Sequence, residues 1–551
     1  MHTLRFPCLA VAVLALGALT PSTTAQADAP LPTPQFPDEN PLLPDQDILG
    51  KFLFWEEQIS RDNTMSCGTC HIHEAGGTDP RVAINPGPDG EFGTDDDILG
   101  SAGVVRHDLN NELIHEGSFF PNVQVTGRQA PSTINSALNF SQFWDGRAEE
   151  VYVDPMSGLQ EIAYGGSLES QAAGPPTSDV EMGPVAQTWE NIVAKLATVR
   201  PLALATDLPA DMQDFLDTYG NYPNMFEAVY GSPVIDSKGV VFAIANYERT
   251  LISNETVLDD FLGGKISQFP PQYQPGFDLF QGNANCATCH TMPLTHDSDF
   301  HNIGVRPDSE DFGREDFTGD IADRGKFKTP HIRNLRLSSP YFHAGTKDTI
   351  TELVEFYNNG GDFPGPNLDV SLLPLNLTQQ EKDDLILFLD EATLDQRVVD
   401  NAFPFTRPTL RSELPPLNTE YGVESADGDG GFATMIAHQP ANRGHSNFII
   451  GVDTDTPNAG TLLMWAFAPD AAGTPYPDPR FPVPINIDLS SLFLSVSLVT
   501  DANGVASYNL PIPKSTALQG FKIYAQWVTE DVDALSTGGL YGTKGVEIEI
   551  L

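Results

Sequence analysis

Two short stretches carry most of the chemistry in this sequence, Cys67-Gly68-Thr69-Cys70-His71 and Cys286-Ala287-Thr288-Cys289-His290. Each pairs two thiols at C-x-x-C spacing with a histidine directly after the second. That arrangement suits covalent attachment of a c-type haem, in which the thiols add to the vinyl groups and the neighbouring imidazole lies under the iron. A redox dithiol or half of a zinc site uses C-x-x-C as well. Two copies, both followed by histidine, in a chain whose other cysteine is Cys8, favour haem. His73, His107 and His115 after the first motif, and His296 and His301 after the second, are candidates for the opposite face of an iron. Loop histidines are also commonly plain polar surface.

Cys8 belongs to an amino-terminal segment of a different kind. An apolar run from Leu9 to Leu19, then Thr24-Ala25-Gln26-Ala27 before Asp28, reads as a secretory signal over residues 1–27, cleaved after Ala27. The run is about half of what a bilayer span needs, so no transmembrane anchor is expected. A periplasmic or otherwise exported protein follows. Against 75 Asp+Glu the chain carries 29 Lys+Arg, so its surface must be broadly negative, which disfavours nucleic acid and anionic lipid as partners. Such a surface suits a small basic electron carrier, or it simply keeps an exported protein soluble.

The elements that must position the motifs are partly legible. Apolar residues at helical spacing predict a helix through Asp47–Phe54, ahead of the first motif. The loop Asn85–Asp97 groups carboxylates and glycines that could wrap calcium, but it lacks the EF-hand spacing and reads rather better as a solvated acidic loop. Thr349-x-x-Glu352 and Thr378-x-x-Glu381 are capping boxes that open two helices. In the first of these, Ile350, Leu353, Val354 and Tyr357 share one face before Gly360-Gly361 stops the helix. From about residue 406 a Pro-rich passage leads into strand-like runs, Leu492–Val499, Val505–Leu510, Phe521–Val528 and Val546–Leu551.

Several longer stretches resemble the bacterial di-haem cytochrome c peroxidase/MauG family, over roughly residues 45–395. Phe143-Trp144-Asp145-Gly146-Arg147-Ala148 is similar to that family's FWDGRA segment. Gln171-Ala172-Ala173-Gly174-Pro175 leading to Glu181-Met182-Gly183 is similar to its QAxGP and EMG pair. Phe327-Lys328-Thr329-Pro330, Arg333-Asn334 and Ser339-Pro340-Tyr341-Phe342-His343 resemble its third signature. The link between Arg147 and Leu168 is longer than the family's.

The resemblance implies a mainly α fold with two cytochrome c-like haem domains and long irregular loops, here at residues 40–265 and 266–405, while the strand-like runs read as a small appended β-sandwich at 422–551 of unknown role. It implies a peroxidatic haem at Cys67/Cys70 and an electron-transfer haem at Cys286/Cys289, coupled by Trp144. Glu181 would move protons during peroxide cleavage and Gln171 would orient the peroxide. Gln129, with the carbonyls of Ser338 and Pro340, matches the place of an inter-haem calcium, although Gln129 and Ser338 replace the usual Asn and Thr. His343 is expected near a haem. Tyr357 stands where the peroxidases carry a methionine ligand and where the MauG branch carries tyrosine.

The implied reaction is reduction of hydrogen peroxide with electrons from a small cytochrome c or cupredoxin, and a homodimer is compatible with it. Two other readings stay open. One is a MauG-like oxidase acting on a protein or organic substrate through high-valent haem, favoured by Tyr357. The other is a non-catalytic di-haem electron carrier, disfavoured by Gln171 and Glu181.

Overall fold

The computed structural model describes residues 31–551 except 88–91, 95–96, 111, 115–122, 416–417, 428, 455, 476–482 and 531–538. The segment 1–27 that reads as a secretory signal, His115 and parts of the acidic loop therefore lie outside the described residues.

The helix foreseen before the first motif runs over Gln46–Phe54 and buries Leu49, Phe52, Leu53 and Phe54. It lies along the helix Ser237–Glu248, which Asp236 caps by accepting from the Gly239 N–H. Their approach needs Gly50, because a Cβ there would stand 1.9 Å from the Ala243 carbonyl oxygen. Around this pair gathers a core containing Trp55, Met212, Phe226, Ile244 and Tyr247. Val398, Phe405 and Leu410 join the same core from far along the chain. The passage through Phe405, counted with the second haem unit from sequence, thus packs against the first.

A second core holds Phe269, Phe280, Ile350, Val354 and Phe388. Both capping boxes form there. Thr349 accepts from the Glu352 N–H at the head of Ile350–Asn359, and Thr378 from the Glu381 N–H at the head of Gln379–Leu387. Gly360, at φ 80°, ends the former as a left-handed cap. A fully buried pair between Arg333 and Asp259, 2.5 Å apart, ties this region together.

The carboxy-terminal part is β-rich. One sheet has strands in the order Leu492–Val499, Gly460–Ala466, Lys522–Glu530, Gly545–Glu549, Thr419–Tyr421, and a second has Thr434–Ile436, Ile449–Asp453, Val505–Asn509. All pairings within these two orders are antiparallel. Residues from both sheets, among them Met435, Ile450, Val452, Trp465, Trp527 and Ile548, share one core. Leu492–Val499 and Val505–Asn509 flank a tight turn yet belong to different sheets, so the turn crosses between layers. Among the described residues no helix is long and apolar enough to cross a membrane.

Candidate functional site

The first motif begins as a single helical turn, Cys67–Cys70, whose N-cap Ser66 and N3 residue Thr69 form a reciprocal capping box. Gly68 is pressed on the indole of Trp55, where a Cβ would approach to 2.1 Å. His71 Nδ1 lies 3.2 Å from the Gly77 carbonyl, a contact that favours the tautomer with its proton on Nδ1. Burial holds its pKa below the ordinary value, so the ring stays neutral, the form a metal requires. Burial also pushes the Cys70 thiol up to about 12 and Cys67 upward. Such thiols are poor nucleophiles for disulfide exchange.

These three residues open on a cavity of about 720 Å³, within the roughly 300–1,000 Å³ typical of cofactor sites. Gln171, on the helix Ser167–Ala172, and Glu181 line the same cavity. Burial pushes the Glu181 carboxyl upward, against smaller opposing effects of Ser178 and Arg147. His73 and His107 do not line it. Both are buried, with Nδ1 facing the carbonyls of Phe405 at 2.7 Å and Val105 at 3.0 Å.

The second motif is a 3₁₀ turn at Cys286–Thr288, and His290 repeats the first arrangement with Nδ1 3.0 Å from the Thr295 carbonyl. Burial lowers its pKa as well. The adjoining cavity is narrower, about 240 Å³, and is lined by Cys286, Cys289, His290, His301, His343 and Tyr357 among others. Burial, reinforced by the two cysteines, pushes the Tyr357 phenol upward. His301 is engaged on both sides, with Nδ1 2.6 Å from Asp369 and Nε2 2.9 Å from Asp297. Both its nitrogens are thus occupied. His343 stacks on Phe327 at 3.5 Å and leaves a buried Nε2 without a partner, while His296 Nδ1 contacts the Ser298 hydroxyl at 3.2 Å.

Trp144 lines both cavities, and its indole N–H donates to the Gln129 carbonyl at 2.7 Å. The side chain of Gln129 donates from Nε2 to the Asp79 carbonyl, while its buried Oε1 has no partner. Ser338 and Pro340 line the second cavity together with Gln129.

A family model described as di-haem cytochrome c peroxidase matches residues 44–267. Over this stretch the chain is similar to the di-haem cytochrome c peroxidase/MauG family. A methylamine utilization protein MauG of Methylorubrum extorquens is 29% identical over 357 residues, covering 64% of this chain and 80% of that protein. The cytochrome c551 peroxidase of Nitrosomonas europaea is 28% identical over 346 residues, covering 62% and 81%. A crystal structure of a MauG-like protein associated with microbial copper homeostasis aligns at a TM-score of 0.48 and 26% identity, covering 68% of this chain and 96% of that one. The relatives named cytochrome c peroxidase support an oxidoreductase activity, and the likeness to a di-haem family implies two haem c groups.

The residues present fit those groups: each motif sets two thiols and one neutral imidazole, its Nδ1 facing a backbone carbonyl, on the wall of a cavity. Among the acids at the first cavity that sequence reasoning did not single out, one is deeply buried. Glu248, the last residue of its helix, lines that cavity 3% exposed, and its Oε2 has no partner. Burial pushes this carboxyl up to about 8. A helical carboxylate next to Arg249 reads as surface in sequence, yet Arg249 turns away to a buried pair with Glu169 at 2.7 Å. The long link between Arg147 and Leu168 holds a short strand pair, Tyr152–Val153 with Gln160–Ile162.

Proposed function

We propose that this protein is an exported peroxidase that reduces hydrogen peroxide at the Cys67/Cys70 cavity with electrons from a small redox protein, taken in at the Cys286/Cys289 cavity. The observation that carries this reading is that Glu181 and Gln171 line the same cavity as Cys67, Cys70 and His71. A haem c held by each motif supplies the redox and oxygen chemistry when bound. The chain supplies the rest. His71 and His290 offer Nε2 to iron, each kept in that tautomer by a backbone carbonyl. Glu181, whose burial raises the proton affinity of its carboxylate, takes a proton and returns it at the same group. Gln171 holds the substrate oxygen by its amide. Trp144, fixed by the Gln129 carbonyl and lining both cavities, bridges them.

In this reading residues 40–265 and 266–405 are the two haem-bearing units and 422–551 a β-sandwich. Gln129 Oε1, with the carbonyls of Ser338 and Pro340, would hold a calcium ion between them. The partnerless buried Oε1 is what supports it. The acidic loop carries no such proposal.

A MauG-like oxidase is the second reading, favoured by Tyr357 at the second cavity. A phenolate donor stabilises the ferric state, whereas a thioether raises the potential. Turnover with peroxide and a reduced small cytochrome, compared between wild type and Glu181→Gln, tests the peroxidase reading. A loss of about a hundred- to ten-thousand-fold with both haems retained is expected. An unchanged rate would move proton transfer elsewhere.

A further inference from the structure

The role of the β-rich region is open in sequence, and its contacts lead back to Glu181. Along the three-stranded sheet, alternate residues face opposite ways. Met435, Ile450, Val452 and Ala506 enter the core shared with the larger sheet. Ile436, Ile449 and Val505 instead form a separate cluster with Val105 and Leu113 of the first haem region. Ile436, Gly451 and Ser507 lie in register across the three strands. Gly451 is the slot of this row: a Cβ there would stand 2.4 Å from Leu113 Cδ1. Leu113 N–H also donates to Ser507 Oγ at 3.3 Å.

Val105 ends the strand Ala102–Val105, and this strand carries the Glu181 segment. Val104 N–H donates to the Val180 carbonyl at 3.2 Å. Gly103 lets the two backbones meet, since a Cβ there would lie 1.7 Å from the same oxygen. Beyond the strand, Val185 N–H donates to the His107 carbonyl at 2.9 Å, and Arg106 pairs with Asp179 at 2.9 Å. On its other side the segment accepts at the Met182 carbonyl from Arg61 N–H, 3.3 Å away. The turn after Arg61 is tied to the β-rich region by a hydrogen bond from Asn63 to Asn442 of 2.8 Å.

We infer that the three-stranded sheet is a brace that positions Glu181, seating Leu113 on Gly451 and so holding the strand Ala102–Val105 against residues 178–185. Leu113, Val105, Ile436, Ile449 and Val505 are positioning residues, remote from substrate. The inference rests on the role proposed for Glu181. A misplacement of about 1 Å can cost about a hundredfold in rate, so a loosened brace should register in turnover.

The test uses full-length holoprotein. Leu113→Ala opens a hole at the brace, and Leu113→Met refills it at similar volume. In Leu113→Ala, amide exchange in residues 178–185 should quicken by at least about tenfold. Peroxide turnover should fall by about ten- to a hundredfold. The spectrum of the Cys286/Cys289 haem should not change, and Leu113→Met should restore both exchange and turnover. Should Leu113→Ala not fold, Ser507→Ala removes the single hydrogen bond without a cavity and is measured in the same ways. Unchanged exchange in 178–185, or a turnover loss without it, overturns the brace. If Glu181→Gln keeps wild-type turnover, the proposed role of Glu181 falls, while the exchange result still decides whether the sheet holds the segment.

Discussion

In the first cavity His71 faces the Gly77 carbonyl, and in the second His290 faces that of Thr295. The arrangement of the proximal histidine proposed for each site is the same. The surroundings are not: the first cavity is about 720 Å³ and presents Glu181, Gln171 and Glu248, whereas the second, about 240 Å³, presents Tyr357, His343 and a doubly paired His301. The motif therefore sets attachment, and the residues brought in by other elements set what each site can do. A buried carboxyl with its pKa raised, beside open space, suits proton-coupled chemistry on a small substrate. A narrow site faced by a phenol suits holding or passing an electron.

The comparison breaks most completely at attachment. Replacing Cys67 and Cys70 with Ser should leave one covalently held haem per chain and abolish peroxide turnover, read by pyridine haemochrome on denatured protein and by steady-state assay. A wild-type count of one would remove the premise. Glu181→Gln follows, with the loss of about a hundred- to ten-thousand-fold stated above; the equivalent loss from Tyr357→Phe would invert the roles of the two sites.

Glu248 sharpens the contrast in stability. Its pKa in the folded protein, about 8, lies above the ordinary 4.5. The stabilisation its protonated form provides is therefore complete below about 4.5 and lost as pH rises through about 8. Glu248→Gln should raise the thermal midpoint at pH 9 by an amount corresponding to roughly a few kcal/mol, and alter it little at pH 4. Equal effects at both values would show that the carboxyl is not held protonated. The smallest effect is spectroscopic. Tyr357→Phe keeps the ring packed against Phe342 and Phe356 but removes the oxygen, so the ferric spectrum and potential of the second haem alone should change. No change would make Tyr357 structural and leave the oxidase reading without its main support.

Much of the site was legible because attachment is local in sequence. Cys67, Cys70 and His71 lie on one turn, and so do Cys286, Cys289 and His290. The helix at Gln46–Phe54 and both capping boxes were readable for the same reason. Glu248 was not, because its burial depends on the helix packing along Gln46–Phe54 and on Arg249 choosing Glu169 instead. Nor was the return of Phe405 and Leu410 to the first core, nor the crossing of the chain between sheets after Val499. All of these are fixed by contacts between residues far apart in sequence. Nor could sequence show that His73 and His107, both near the first motif, are buried away from the cavity that the motif lines.

The central claim, that the two sites divide the work, is tested most directly by titrating the fully oxidised holoprotein with cyanide while following both haem spectra. One equivalent per chain should bind promptly, changing the spectrum of the Cys67/Cys70 haem and leaving that of the Cys286/Cys289 haem untouched. Prompt binding of two equivalents, or of none, would contradict it.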